Sequence, residues 1–212
     1  MKSITIRSMQ SGMSMIETLI VLPVMLLIGM GIVHLGLVYQ TRANLEYAAL
    51  MAARVGSVTG INVGAMTQEA AARMAPSHIG PGAPLVTDFK ITVLNPTLAM
   101  FSRCGELPVN TSDCRLPLAR CEIPNFGLQY RVADTSCAGF SIQDANILRI
   151  KVTYTFDSKI PFMNTRLFSG DNPGNPANPL RSGTDISAVA TVRMQSPARH
   201  TTLNDGYFID SP

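Results

Sequence analysis

Between Glu17 and Arg42 the sequence has no Asp, Glu, Lys or Arg, and elsewhere it lacks the compact signatures of chemistry. No Cys-x-x-Cys pair occurs, and His34, His78 and His200 are scattered without ligand spacing, which argues against zinc. There is no nucleophile elbow and no phosphate loop, so an enzymatic role has no residue to rest on and no cofactor is expected. Lys and Arg neither cluster nor alternate with aromatics, and the formal net charge is only +3, which leaves no case for nucleic acid. Mean hydropathy is nevertheless positive at +0.20, and most of that comes from the first third of the chain.

What fills the uncharged stretch is an apolar run, residues 18–39, long enough to cross a bilayer with roughly 20 residues. A secretory signal peptide fits poorly, because its apolar region is about 7 to 15 residues and its cleavage site follows that region. Glu17 stands at the entrance of the run. A carboxylate in a membrane helix costs about 2.5–3.5 kcal/mol at the centre and less toward the interface, so it is a functional hypothesis by default. Its natural partner is the amino group created by a cut between Gly12 and Met13. Glu17 would then be the fifth mature residue, one turn from the new terminus, where i and i+4 groups share a face. The alternative is an uncleaved signal anchor.

Gly12-Met13-Ser14-Met15-Ile16-Glu17, preceded by a leader with Lys2 and Arg7 and no acid, resembles a type IV pilin-like precursor. The resemblance implies cleavage after Gly12 by an inner-membrane prepilin peptidase. Lys2 and Arg7 on one side against Arg42 and Arg54 on the other leave the positive-inside count nearly balanced. Cys104, Cys114, Cys121 and Cys137 tip the orientation, because an even group of cysteines fits disulfides in an exported segment. The expected arrangement is a single-pass protein of the bacterial inner membrane with its C-terminal domain in the periplasm.

Helix formers continue past the span with no Pro or Gly until Gly56. Leu45, Ala48, Ala49 and Ala52 fall at helical spacing. A helix over residues 14–58 would be roughly 67 Å long at 1.5 Å per residue, so half of it must emerge and pack on something. Gly29, Gly31 and Gly36 offer close approach to another helix, Pro23 frees one backbone carbonyl and is a kink site, and His34 is read as a neutral structural residue.

A second helix is expected over residues 65–75, ended by Pro76, and the Gly80-Pro81-Gly82-Ala83-Pro84 run is expected as a turn. Phe89, Ile91 and Val93 alternate with polar residues, as do Leu148, Ile150, Val152, Tyr154 and Phe156, and then Ile186, Ala188, Ala190, Val192 and Met194. Three one-sided strands make an antiparallel sheet whose apolar face needs a cover, and the emerging half of the long helix is the best one available. Residues 128–132 read as a short edge strand.

The expected class is α+β: a long N-terminal transmembrane helix extending out of the membrane and packing on a small antiparallel β-sheet, with a cysteine-bearing loop insertion over residues 101–140. Its parts are a leader at 1–12, the helix at 13–58 and an extracytoplasmic domain at 59–212. Four cysteines allow three pairings. Proximity in sequence favours Cys104 with Cys114 and Cys121 with Cys137. The loop at 171–179 reads as a spacer rather than a calcium site, its only acid being Asp171.

Ile16-Glu17-Thr18-Leu19-Ile20-Val21-Leu22-Pro23, the Ala-rich segment at 45–54 and two late strands together resemble the TadE-like branch of pilin-related proteins, the minor pilins or pseudopilins of tight adherence pili. Those strands are Val152 to Phe156 and Ala188 to Met194. Three features depart from the pattern. Position 18 is Thr where Tyr often follows the Glu in the major pilin, the chain is far longer than that subunit, and the cysteine insertion has no counterpart in the family core.

The resemblance implies a subunit assembled into a pilus or initiating one, with the prepilin peptidase, other pilin subunits and the pilus assembly platform as partners and a final location in the pilus or at the cell surface. Surface adhesion by the cysteine region would suit such a subunit. A minor pilin of a type IV pilus and a pseudopilin of a secretion system share the same physics. A membrane-anchored enzyme is the remaining class.

Overall fold

The computed structural model describes residues 15–77, 86–106, 121–132, 134–156 and 184–210. One helix dominates it. α1 (Met15–Thr59) runs 45 residues without interruption, through Pro23, and two segments of it have different surroundings. From Thr41 onward its inner face is buried, with Leu45, Ala48, Ala49, Ala52 and Ala53 fully enclosed. Small side chains at these positions let the helix axis sit close to the sheet beneath it.

That sheet has three antiparallel strands in the order β1 (Phe89–Asn95), β3 (Ile147–Phe156), β4 (Thr184–Arg193). The register between β3 and β4 runs unbroken from Ile147 opposite Arg193 to Phe156 opposite Thr184. The expected alternation is what is seen: Leu148, Ile150, Val152 and Tyr154 point into the core with Ile186, Ala188 and Ala190, while Arg149 and Lys151 face out. α1 covers β3 and β4, and α2 (Val63–Met74) lies against α1 and β1. The helix runs antiparallel to β3. His34 lies beside Phe156 at one end, and Gly56 lies against Leu148 at the other.

The far end of α1 is fastened by a glycine cap. Gly60 has φ +68°, and the Ile61 amide donates to the Gly56 carbonyl at 2.9 Å, the long bond that closes a Schellman-type ending. Ile61 itself sits at φ 67°, an outlier for a β-branched residue, held by full burial and by Asn204, whose Nδ2 donates to its carbonyl at 3.0 Å. Ser57 O accepts from the Gln195 and Ser196 amides, tying the helix end to the strand that precedes the C-terminal segment.

Gly56 is required where it is. A Cβ there would lie 2.7 Å from Met66 Sδ and 3.0 Å from Leu148 Cδ2. Gly56→Leu is therefore expected to destabilise the head by about 2 kcal/mol through overpacking, although Gly inside a helix itself costs about 1 kcal/mol relative to Ala. Thermal unfolding of wild type and variant in the same detergent measures this, and an unchanged midpoint would refute the close approach.

Several boundaries moved. The second helix starts at Val63, ahead of the expected 65, because the Asn62 side chain accepts the Ala65 amide as an N-cap. Residues 128–132 are not a strand. Leu128–Tyr130 is a 3-10 turn entered through Gly127 at φ 65°, and the carbonyls of Leu128 and Arg131 accept from Gln143 Nε2 at 3.0 Å each instead of joining a ladder. Three further elements carried no clear periodic signal: α3 (Leu98–Cys104), α4 (Ile142–Ala145) with its Ser141–Asp144 capping box, and a two-stranded pairing of β2 (Glu122–Ile123) with β5 (Ala198–Arg199).

Candidate functional site

The N-terminal part of α1 beyond Glu17 is apolar all the way round and covered by none of the described residues. Met15, Leu19 and Leu26 are 89%, 72% and 58% exposed, and the other described side chains up to Gly29 are open as well. A soluble amphipathic helix hides an apolar face and shows a polar one; this segment has no polar face. It is the one helix among the described residues long and apolar enough to cross a membrane, and it fits a membrane anchor.

Glu17 is the acid of the first turn and is exposed. Its position suits the positive end of the helix macrodipole, and one turn ahead of it the chain leaves the described residues. Gly12 and Met13, the expected cleavage pair, lie outside them, as do Cys114, the Gly80–Pro84 turn and the loop at 171–179. A Cβ on Gly29, Gly31 or Gly36 would meet nothing within 4 Å, so the flat surfaces these residues create face outward. His34 instead turns toward the head, its ring 6.0 Å from that of Phe156.

The cysteines belong to a different place. β1 runs away from the free helix, and α3 follows at the opposite end of the sheet, so Cys104 sits on the part of the head remote from Glu17. Cys104 bonds Cys137, with Cα atoms 5.3 Å apart, and Cys121 is also disulfide-bonded. The pairings of sequence neighbours, Cys104 with Cys114 and Cys121 with Cys137, are therefore wrong. The fold carries the 134–140 turn back over the end of α3, bringing Cys137 close across 33 positions of sequence.

Beside this disulfide lies an open groove of about 700 Å³, lined by Arg103, Glu106, Arg131, Asp134 and Ile142 among others. Arg131 pairs with Glu106 at 3.0 Å. The Ser136 hydroxyl and amide donate to Asp134 and hold its carboxyl below the usual carboxylate range. Charges of both signs with their own partners make a polar surface, not a nucleophile and its base. Among the described residues no three His, Cys, Asp or Glu side chains group as a metal site.

The C-terminal strap is what the periodicity argument missed. Its His200 is buried between Phe101 and Phe208, with ring centroids 5.7 and 5.3 Å away, and its Nε2 is 3.3 Å from Asp205 Oδ1. Val93 exchanges backbone hydrogen bonds with Tyr207 and Ile209, so the strap closes the β1 edge of the sheet. Asn204 was the available signal: an amide in a turn, two residues before a glycine, suited to bonding backbone.

No curated protein and no solved structure matches the chain. A family model described as TadE-like protein matches residues 12–54, which take in the expected cleavage site, Glu17, the exposed helix and most of its head-packed half. Over that segment, where one continuous helix joins an uncovered apolar half to the covering layer of a small antiparallel sheet, the chain is similar to the TadE-like family.

Proposed function

We propose that the chain is a minor pilin or pseudopilin: a structural subunit of a Tad-type pilus, cut by prepilin peptidase between Gly12 and Met13 and then assembled into the pilus or into the complex that initiates it. Its role is mechanical rather than catalytic. The observation that carries this reading is the division of α1, with one half clamped by the head and the other apolar on every side. Such a helix has two stable settings, a bilayer and a bundle of like helices. A subunit that passes from membrane to filament needs a surface at home in both, because packing between apolar helices replaces contact with lipid tails at little cost.

The TadE-like segment supports association with the Tad pilus and with pilin subunits as partners. The disulfide between Cys104 and Cys137 supports a head on the oxidising, periplasmic side of the inner membrane. In the filament the cysteine-bearing end, remote from the helix, is the part free to meet a surface, and adhesion is assigned there.

The intact mass of the protein purified from native membranes, with and without the peptidase, tests the pathway. Loss of residues 1–12 only when the peptidase is present is the expected result. An uncut chain in both samples would leave a bitopic anchored domain and end the assembly reading.

A further inference from the structure

The side of the sheet turned away from α1 is uncovered among the described residues and carries mostly one sign of charge. Lys90 on β1, Arg149 and Lys151 on β3, and Arg193 on β4 are all exposed there. Scattered in sequence, they meet because the register puts them on one face: Lys90 lies opposite Thr153, Lys151 opposite Thr92 and Val189, Arg149 opposite Thr191, and Arg193 opposite Ile147. The pleat then makes them a row. From Lys90 to Lys151 is a diagonal step of about 7–8 Å, from Lys151 to Arg149 about 7 Å along one strand, and from Arg149 to Arg193 a second diagonal. Four cations thus cross the face over roughly 20 Å.

None of the four is in an ion pair among the described residues. Asp185, the one acid on this face among them, lies a rung beyond Lys90 and accepts the Thr155 hydroxyl at 2.8 Å. Like charges side by side repel one another, so such a row is relieved by an anionic partner.

We infer that this outer sheet face binds a linear anionic polysaccharide, a chain of sugars bearing carboxylates. The inference rests on the reading of the head as exported. It extends the adhesion assigned to the cysteine-bearing end to the charged face that begins there, where α4 leads into β3.

The face itself separates this partner from other anions. Hydroxyls stand beside the cations: Thr153 and Ser187 on the rung of Lys90, Thr92 on that of Lys151, and Thr191 on that of Arg149. They complement sugar hydroxyls as the cations complement carboxylates. No aromatic side chain stands on these rungs, Phe89, Tyr154 and Phe156 being buried on the other side, so unpaired nucleic-acid bases have nothing to stack on. A peptide strand binds a sheet at its edge, where backbone groups are open, and not over its face. A second copy offers little, because Glu46, Glu69, Glu106 and Glu122 already pair with arginines of their own chain. The strands run along α1, so with α1 upright in a membrane this face stands beside the bilayer normal and does not lie on lipid headgroups.

The test is titration of the full-length protein, in an uncharged detergent, with alginate as a linear polyuronate and dextran as an uncharged polymer. Wild type is expected to bind alginate and not dextran. Arg149→Gln with Lys151→Gln is expected to raise the Kd by on the order of tenfold and to flatten its salt dependence. Arg54→Gln with Arg73→Gln removes the same charge from the exposed faces of α1 and α2 and is expected to leave the Kd within about twofold. Should the first double variant lose thermal stability, Lys90→Gln with Arg193→Gln replaces it.

Equal binding by wild type and the sheet variants would overturn the inference, and so would an equal loss in the helix control, which would reduce the effect to net charge. Tighter binding of duplex DNA or of polyglutamate at matched charge would assign the face to nucleic acid or to an acidic protein and overturn it as well. Pilus incorporation of the same variants keeps the readings apart. A sheet variant that assembles normally and no longer binds is the expected result, whereas one that also stays out of pili would make the row a contact between subunits and end the inference. A wild type that binds alginate yet is neither cut nor assembled would sink the assembly reading alone.

Discussion

Alanine at position 17 is expected to leave the chain in the membrane and remove it from assembled pili. Insertion does not need Glu17. The apolar helix runs on for two dozen residues without another charge, and replacing a carboxylate with Ala only lowers the cost of entering lipid. Assembly is different. The proposed cut after Gly12 would create an ammonium at Met13, and bringing many such helices together would bury it. Glu17, exposed in the first turn of α1, can meet that amine on its own or a neighbouring helix. Breaking a buried pair by removing one member costs about 3–5 kcal/mol, because the other charge is left uncompensated. A loss of that size corresponds to a drop in incorporation on the order of a hundredfold or more.

The check is the ratio of subunit in sheared pili to subunit in membranes, for wild type, Glu17→Ala and Glu17→Gln. Gln keeps a hydrogen-bond acceptor and loses the charge, so it separates pairing of charges from polar contact. An unchanged ratio for Glu17→Ala would show that the carboxylate does not serve assembly.

The second large effect is expected from the disulfide. Cys104 and Cys137 close 33 positions of chain, which in the chain-entropy account stabilises by about 4 kcal/mol. Among the described residues between them the regular structure is short: the two-residue β2, a 3-10 turn and the single bridge of Glu106 with Glu122. Cys137 is fully buried, so the bond also anchors the 134–140 turn to the end of α3. Replacing both cysteines with Ser is expected to lower the midpoint of thermal unfolding by on the order of 10 °C and to reduce the amount of intact protein in the cell. The double variant avoids leaving a lone thiol to mispair with Cys114 or Cys121. If its midpoint equalled that of wild type, the crosslink would be incidental to stability.

These effects also mark what was readable in advance. Leu45, Ala48, Ala49 and Ala52 were visible as a helical stripe because one helix face meets one sheet, and each of them is fully buried. The three strands of the sheet were visible because each has one wet and one dry side, which writes a period of two into the residues. Residues 128–132 had strand-like composition but no partner strand; Gln143, from α4, took their carbonyls. The strap at 198–210 was missed because its contacts, with Val93, Phe101 and Ile61, are a hundred or more positions away in sequence and leave no local repeat.

By itself, the sequence determined the membrane-length helix, the acid at its entrance, the three one-sided strands and the layered α+β arrangement, since each follows from hydrophobic periodicity and the cost of charge in lipid. Only the tertiary structure decided which cysteines join, how the C-terminal strap closes the sheet edge, and where along α1 the head begins to cover it. Those depend on contacts between distant segments, whose geometry is set by how helix and sheet pack and not by any residue's neighbours in the chain.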